Sequence, residues 1–364
     1  MELKRACIIG LGLIGGSIAR ALRERLGITD IVAVNRNSAS IQQAVEDGVI
    51  SCGFNHLNEY VFDSDIIFIC TPVKRTMEFI SALTGKVKDG CILTDVGSTK
   101  SEIVNYVNSM ENAPLFLGGH PMAGSEKTGY SAGFSHLFEN AFYVLTPCKT
   151  TTEESIELMR KIIESFGGLP VTMDPEEHDR VTGGISHVPH IIAATLVNLV
   201  RELDSSDGKM QLLAAGGFKD ITRIASSSPE MWESIVTSNK HQIVGILENY
   251  LELVNLFKAK IAHGDSDWIY KAFESAKLFR DTFSAGKKGL ISPAYELVVD
   301  VVDRPGIIGK IATLLGENSV NIKNINVSNS REYEQGCLRI TLPDMESANF
   351  AFDLLTGSGY KVYK

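Results

Sequence analysis

The sequence predicts an α/β doubly wound domain over residues 1–173, an all-α domain over 174–288 and a small α+β domain over 293–364. Three observations predict this. From residue 4 to about 173, short β-rich runs alternate with helical ones, the order that builds a parallel sheet covered by helices. After "DPEEHDR" the texture changes to long apolar helical stretches such as "IIAATLVNLVREL", with hardly any strand signal up to about residue 285. After the linker "SAGKKGLISPA" a βαββαβ order appears.

In the first domain "RACIIG", "DIVAVN", "SDIIFICTP", "CILTDVG", "PLFLGG" and "FYVLTP" read as strands, and "SIARALRERL", "SIQQAVEDG" and "SEIVNYVNSM" as helices. The run "HIIAATLVNLV" is apolar on nearly every side, which suits a helix covered on all faces, those of a second subunit included. In the last domain "YELVVDVVD", "NIKNINVSNS", "GCLRITLP" and "YKVYK" read as strands, and "IIGKIATLLGENS" and "MESANFAFDLLTGSG" as helices.

Composition narrows the function. The net charge of −9 argues against a nucleic-acid surface, which needs clustered cations, but leaves room for a small anionic ligand in a local cationic pocket. The six cysteines form no CxxC pair and mostly lie in apolar runs, so they read as buried thiols in a reducing compartment. No apolar run approaches the length of a membrane span, and the chain opens on a strand rather than a signal peptide. The expectation is a cytoplasmic protein with no membrane or nucleic-acid partner.

"IIGLGLIGGSIARAL" places Gly10, Gly12 and Gly15 in GxGxxG register between a strand and a helix, with Leu13 and Ile14 on the turn. Such a turn lets backbone N–H groups and a helix N-terminus approach a pyrophosphate, as in a Rossmann domain. Thr71 and Pro72 end a later strand at the same rim. Where an acidic residue would bond the ribose of NAD, the second strand ends on Asn35 and Arg36. A guanidinium accommodates a 2′-phosphate, or simply covers the adenine face, so NAD and NADP both stay open.

Ser98, in "TDVGSTK", and His120, in "GGHPMAGSE", follow strands and come out at that crevice rim, although Ser98 could equally cap the next helix. His120 reads as a loop residue. "GGISHVPHIIAA" carries Ser186, His187 and His190, with Pro189 suited to a first helical turn. The HxxH spacing is not that of a zinc helix, so no metal is expected. "GGFKDITRIASSSPEMW" stacks Lys219 and Arg223 at i, i+4, either as a solvated basic face or as a carboxylate site.

"GLGLIGGS", "DVGSTK", "GGHPMAGSE", "EEHDRVTGGISHVPH" and "GGFKDITRIASSSPEMW", in this order, closely resemble the prephenate dehydrogenase family over residues 1 to about 285. The last domain, with "DRPGIIGKIATLL", resembles an ACT domain, an amino-acid-sensing module. The resemblance implies NAD(P)-dependent oxidative decarboxylation of prephenate to 4-hydroxyphenylpyruvate in tyrosine biosynthesis, by a homodimer. It implies that His120 accepts a hydrogen bond from the substrate's ring hydroxyl and that Ser98 orients His120 and that hydroxyl. It makes Arg223 the grip on a substrate carboxylate, with Glu126 as its ionic partner. Ser125, Ser186 and His190 would line the pocket, Lys219 and Asp220 would support it, and Trp232 would reach across from the second subunit. In the ACT-like domain Asp303, Pro305, Gly306 and Asn321 would receive L-tyrosine as effector.

Three rivals share parts of this pattern. Arogenate dehydrogenase, or a dual-substrate cyclohexadienyl dehydrogenase, performs the same chemistry on an amino-bearing substrate, but no acidic pocket residue stands out to read an ammonium. An inactive amino-acid sensor would fit the last domain but not His120, Ser98 and Arg223. A 3-hydroxyacid dehydrogenase would use a lysine of the helical domain, for which Lys219 is the candidate.

Overall fold

A computed structural model describes residues 3–124, 127–283, 295–302, 304–328 and 337–363. The chain divides into two compact units, Met1–Ile269 and Tyr270–Lys364.

The first unit is built on an eight-stranded sheet. Its strands are β1 (Arg5–Ile9), β2 (Asp30–Val34), β3 (Cys52–Phe54), β4 (Ile66–Ile69), β5 (Ile92–Asp95), β6 (Phe116–Pro121), β7 (Phe142–Pro147) and β8 (Leu169–Thr172). They lie in the order β3-β2-β1-β4-β5-β6-β7-β8. Alternation along β1 sends Ala6 and Ile8 to one buried face and Cys7 and Ile9 to the other, so both faces are covered, as a doubly wound sheet requires.

The sheet is not parallel throughout. β7 pairs antiparallel with β6, and β8 runs with β7. Among its described residues the connection over 122–141 carries only the 3₁₀ turn Tyr130–Ala132, with no crossover helix to return the chain to the start of the sheet. β3 and β8, too short for a periodic signal, were not legible as strands. The cysteines also differ from expectation: Cys7, Cys91 and Cys337 are buried, whereas Cys52, Cys70 and Cys148 are only half-buried, and all are free thiols.

Register brings the site to one rim. Ile9 pairs with Val34 and with Ile69, and Ile69 with Asp95. The residues just past these strand ends, Gly10, Asn35, Thr71 and Ser98, therefore share the carboxyl edge of the sheet, where ligands of such sheets bind.

Beyond β8 the unit is helical. Helix Pro175–Thr182 passes through the π-helical turn Gly183–His187 into helix Val188–Leu203. Pro189 thus lies within a continuous helix rather than starting one. Its ring would crowd the carbonyl four residues back, and the wider π turn just upstream makes the room. This helix is long and apolar enough by composition to cross a membrane. Its polar residues His178, Asp179 and His187 are buried against the rest of the unit. Many apolar side chains of this region are exposed in the single chain, among them Leu212 at 78% and Ile261 at 62%.

The second unit holds β9 (Tyr295–Asp300), β10 (Asn324–Ser328), β11 (Cys337–Leu342) and β12 (Lys361–Tyr363) in the antiparallel order β10-β11-β9-β12. Helices Ile307–Glu317 and Met345–Gly357 pack Ile311, Leu315, Ala351 and Leu355 onto it with Leu297, Val299, Leu338 and Ile340. The division between units falls inside helix Ser266–Thr282, no residue of which is buried; the expected domain end at 288 lies outside the described residues.

Candidate active site

The glycine turn has the shape a dinucleotide needs. Gly10 sits at φ +100°, and a Cβ there would lie 2.5 Å from the Cys70 carbonyl oxygen. A Cβ on Gly15 would lie 2.0 Å from the Gly10 carbonyl oxygen, which fixes close helix–strand packing. Gly12 faces open space and caps helix Leu13–Leu26 with no side chain, so the first helical N–H groups stay available to an anion. The Leu11 N–H donates to Asn35 Oδ1 at 3.1 Å, while Asn55 Nδ2 donates to the Asn35 and Arg36 carbonyls at 2.8 and 3.3 Å. Asn35 is thereby a structural tie, and Arg36 stands exposed on an anchored backbone. Thr71 accepts from Thr76 Oγ1 through its carbonyl at 2.9 Å, and Pro72 opens helix Val73–Leu83.

His120 is a strand residue, not a loop residue. It lies in β6 opposite Val144 and is 8% exposed. Its strand shows no alternation because Gly118 and Gly119 precede it. Cβ atoms there would meet Thr146 Oγ1 at 2.2 Å and the Asp95 carbonyl oxygen at 2.6 Å.

His120 Nδ1 lies 2.7 Å from His178 Nε2, and His178 Nδ1 lies 2.8 Å from Asp179 Oδ1. The carboxylate can only accept, so His178 carries its proton on Nδ1. With His178 neutral, its bare Nε2 accepts from His120 Nδ1–H, and His120 is left with a bare Nε2. Asp179 is itself buried. Burial opposes its ionisation, but bonds from His178, the Ser101 N–H and the Lys100 N–H outweigh this and hold its pKa below the usual range. Asp179 thus also caps helix Ser101–Ser109, the task open to Ser98 in the sequence.

Burial pushes His120 well below the ordinary histidine pKa, reinforced by His178, Lys100 and His187. Lys100 is fully buried and donates through Nζ to Asp95 and to the Gly119 carbonyl, while Asp95 accepts from the Gly97 and Gly119 N–H groups. This buried pair ties the end of β5 to the residue before His120. Ser98 is half-buried at the same rim but makes no hydrogen bond to His120; the orienting partner is His178. Thr99 Oγ1 meets Ser238 Oγ at 2.8 Å, which clamps this loop to the helical region.

The helical wall carries the remaining residues. His190 Nδ1 donates to the Ser186 carbonyl at 2.9 Å, and Trp232 stacks on His190 at 3.7 Å between ring centroids. Within its own chain Trp232 thus belongs to the same wall as His190. Burial lowers the His190 pKa, the Ser186 carbonyl opposes this, and the nearby Arg223 charge lowers it further, which puts Arg223 beside this wall. Arg223 does not share a helix with Lys219. Helix Gly216–Thr222 ends just before it, with Arg223 as its right-handed C-cap, and a 3₁₀ turn, Arg223–Ser226, begins there. Lys219 and Asp220 are exposed. Ser125 and Glu126 lie outside the described residues. Sequence reasoning missed His178, Asp179 and Asn239, of which only the His–Asp pair inside "EEHDR" left a trace, and it singled out His187 without giving it a role.

Known proteins match the chain domain by domain. Residues 18–171 match the prephenate dehydrogenase nucleotide-binding domain, 174–275 the prephenate dehydrogenase dimerization domain and 295–342 the ACT domain. A prephenate dehydrogenase of Bacillus subtilis is 37% identical over 92% of this chain and 91% of its own. The chain belongs to the prephenate dehydrogenase family.

Solved structures of the family agree. Prephenate dehydrogenase from Aquifex aeolicus, in complex with hydroxyphenyl propionate and NAD+, is 31% identical with a TM-score of 0.73, over 78% of this chain and 99% of that one. Synechocystis arogenate dehydrogenase is 28% identical with a TM-score of 0.68, over 77% and 99%. As a member of the prephenate dehydrogenase family, the chain is a nucleotide-dependent oxidoreductase whose glycine turn, open at Gly12 and uncapped at the helix start, fits a dinucleotide.

Proposed function

We propose that this protein is a prephenate dehydrogenase that converts prephenate to 4-hydroxyphenylpyruvate and CO2. The observation that carries this is the chain from Asp179 through His178 to His120, which leaves a bare acceptor nitrogen at the crevice beside the dinucleotide turn. A bound nicotinamide supplies the hydride acceptor. His120 Nε2 accepts the substrate's ring hydroxyl and takes its proton. The resulting imidazolium is stabilised through His178 by the Asp179 carboxylate. A base of depressed pKa suffices, because the hydroxyl becomes strongly acidic as its carbon loses hydride. Aromatisation then expels CO2 without a protein base, and the phenolate oxygen takes back the proton held on His120 Nε2.

Ser98 at the rim meets the same hydroxyl, and Arg223, with Glu126, grips a carboxylate in a pocket lined by Ser125, Ser186, His190 and Trp232. Lys219 and Asp220 support Arg223. Gly10, Gly12, Leu13, Ile14 and Gly15 hold the pyrophosphate, with Thr71 and Pro72 on the nicotinamide side. NAD is the family cofactor, and Arg36 extends use to NADP. The uncovered apolar helical surface supports a homodimer, in a soluble, cytoplasmic enzyme. L-Tyrosine acts through the C-terminal unit, where Gly306 starts helix Ile307–Glu317 at φ +88° and Pro305 and Asn321 are exposed beside it in sequence; Asp303 lies outside the described residues. A second reading, arogenate as substrate, is favoured by the likeness to the Synechocystis enzyme. A nicotinamide-reduction assay with prephenate and arogenate, each with NAD and NADP, tests the proposal; no turnover of prephenate with either cofactor overturns it.

A further inference from the structure

His187 has a buried partner that the reaction described above does not use. It is 1% exposed, at the end of the π turn, and packs edge-on to Trp232 with ring centroids 6.1 Å apart. Its Nδ1 lies 3.0 Å from Asn239 Nδ2, and the same Nδ2 donates to the Asp179 carbonyl oxygen at 2.8 Å. Asn239 is 3% exposed, at the junction of helices Pro229–Ser238 and Lys240–Ala262.

These two bonds determine a tautomer. A backbone carbonyl only accepts, so the amide must turn its NH2 group toward Asp179; the flipped amide would set two carbonyl oxygens face to face. The NH2 group cannot accept, so His187 Nδ1 must be the bare nitrogen and the ring proton must sit on Nε2. Nε2 has no hydrogen-bond partner among the described residues. This is the reverse of His120, where Nδ1 carries the proton and Nε2 is bare.

We propose that Asn239 is a positioning residue that locks His187 as a hydrogen-bond donor in the wall of the substrate pocket, selecting a side chain that offers only acceptors over one that offers an ammonium. The inference rests on the pocket proposed above. A keto acid presents carbonyl and carboxylate oxygens to such a donor. An amino acid keeps the carboxylate but presents an ammonium where the keto oxygen stood, which such a donor cannot meet, and an unmet buried donor is costly. Specificity on this wall therefore requires no acidic residue: it follows from which nitrogen of His187 holds the proton.

The test uses the full-length enzyme and two readouts. Long-range 1H–15N correlation on histidine-labelled protein, with His187 assigned by its loss in His187→Gln, is expected to show an unprotonated Nδ1 at His187. A protonated Nδ1 overturns the proposal whatever the enzyme turns over, so this readout is separate from the reading of function. Asn239→Asp, whose carboxylate accepts from Nδ1–H and bares Nε2, is expected to lower the kcat/KM ratio of prephenate over arogenate at least tenfold. Asn239→Ala, which frees the tautomer without adding charge, is expected to lower the ratio less. An unchanged ratio in both variants overturns the proposal.

Discussion

His120 Nδ1 and His178 Nε2 are 2.7 Å apart, in a pair sealed from solvent on the His178 side and anchored by Asp179. The contact decides which nitrogen of His120 faces the crevice, and so whether the ring can act as a base.

His120→Asn is expected to keep cofactor and substrate binding while lowering kcat by about 100-fold or more, the usual loss for a general base. Steady-state kinetics and cofactor titration check this. A near-normal kcat would remove His120 from the chemistry.

Asp179→Asn replaces a pure acceptor by a group that also donates, so the His178 and His120 tautomers are no longer imposed. We expect kcat to fall on the order of 100-fold, with a smaller change in KM and an altered acid limb in the pH profile. Loss of cofactor binding and kcat in equal measure would show a structural role only.

Arg223→Ala is expected to raise KM for prephenate about 10- to 150-fold, as for a charged hydrogen bond of about 1.5 to 3 kcal/mol, and to spare cofactor binding. An unchanged KM would make this 3₁₀ turn plain solvated surface.

Acid should destabilise the protein through its buried histidines. Burial brings His187 down to about 4, against the weaker opposing pull of Asp179, and His120 is also depressed. Above about pH 6.5 both are neutral folded and unfolded and cost nothing. Below it the unfolded chain takes up protons that the folded chain refuses, so stability falls by up to about 1.4 kcal/mol per pH unit for each, until the folded pKa is passed. Denaturant midpoints between about pH 7.5 and 5 measure the slope, and His187→Gln should flatten it. Identical slopes in both proteins would contradict the assignment.

Removing residues 293–364 is expected to leave an active enzyme that no longer responds allosterically to L-tyrosine, while weak competition at the catalytic pocket persists. Calorimetry and inhibition kinetics on both proteins separate the cases. Equal tyrosine binding with the same purely competitive inhibition would exclude the C-terminal unit as the sensor, since coupling requires a second site.

The sequence by itself determined the architecture and the cofactor turn. Strand, helix and glycine signals act within a few residues, so Gly10, Gly12 and Gly15 and the βαββαβ order of the last unit were readable directly. Tertiary structure decided the rest, because it turns on partners distant along the chain. Glycines hid the strand that holds His120, and packing against Thr146 and Asp95 restored it. The reversal of β7 depended on a connection with no crossover helix among its described residues. His178, 58 residues from His120, and Asn239, 52 from His187, became functional candidates only when the fold closed their hydrogen bonds. A histidine's tautomer is set by the group at its other nitrogen, and no local pattern records which group that will be.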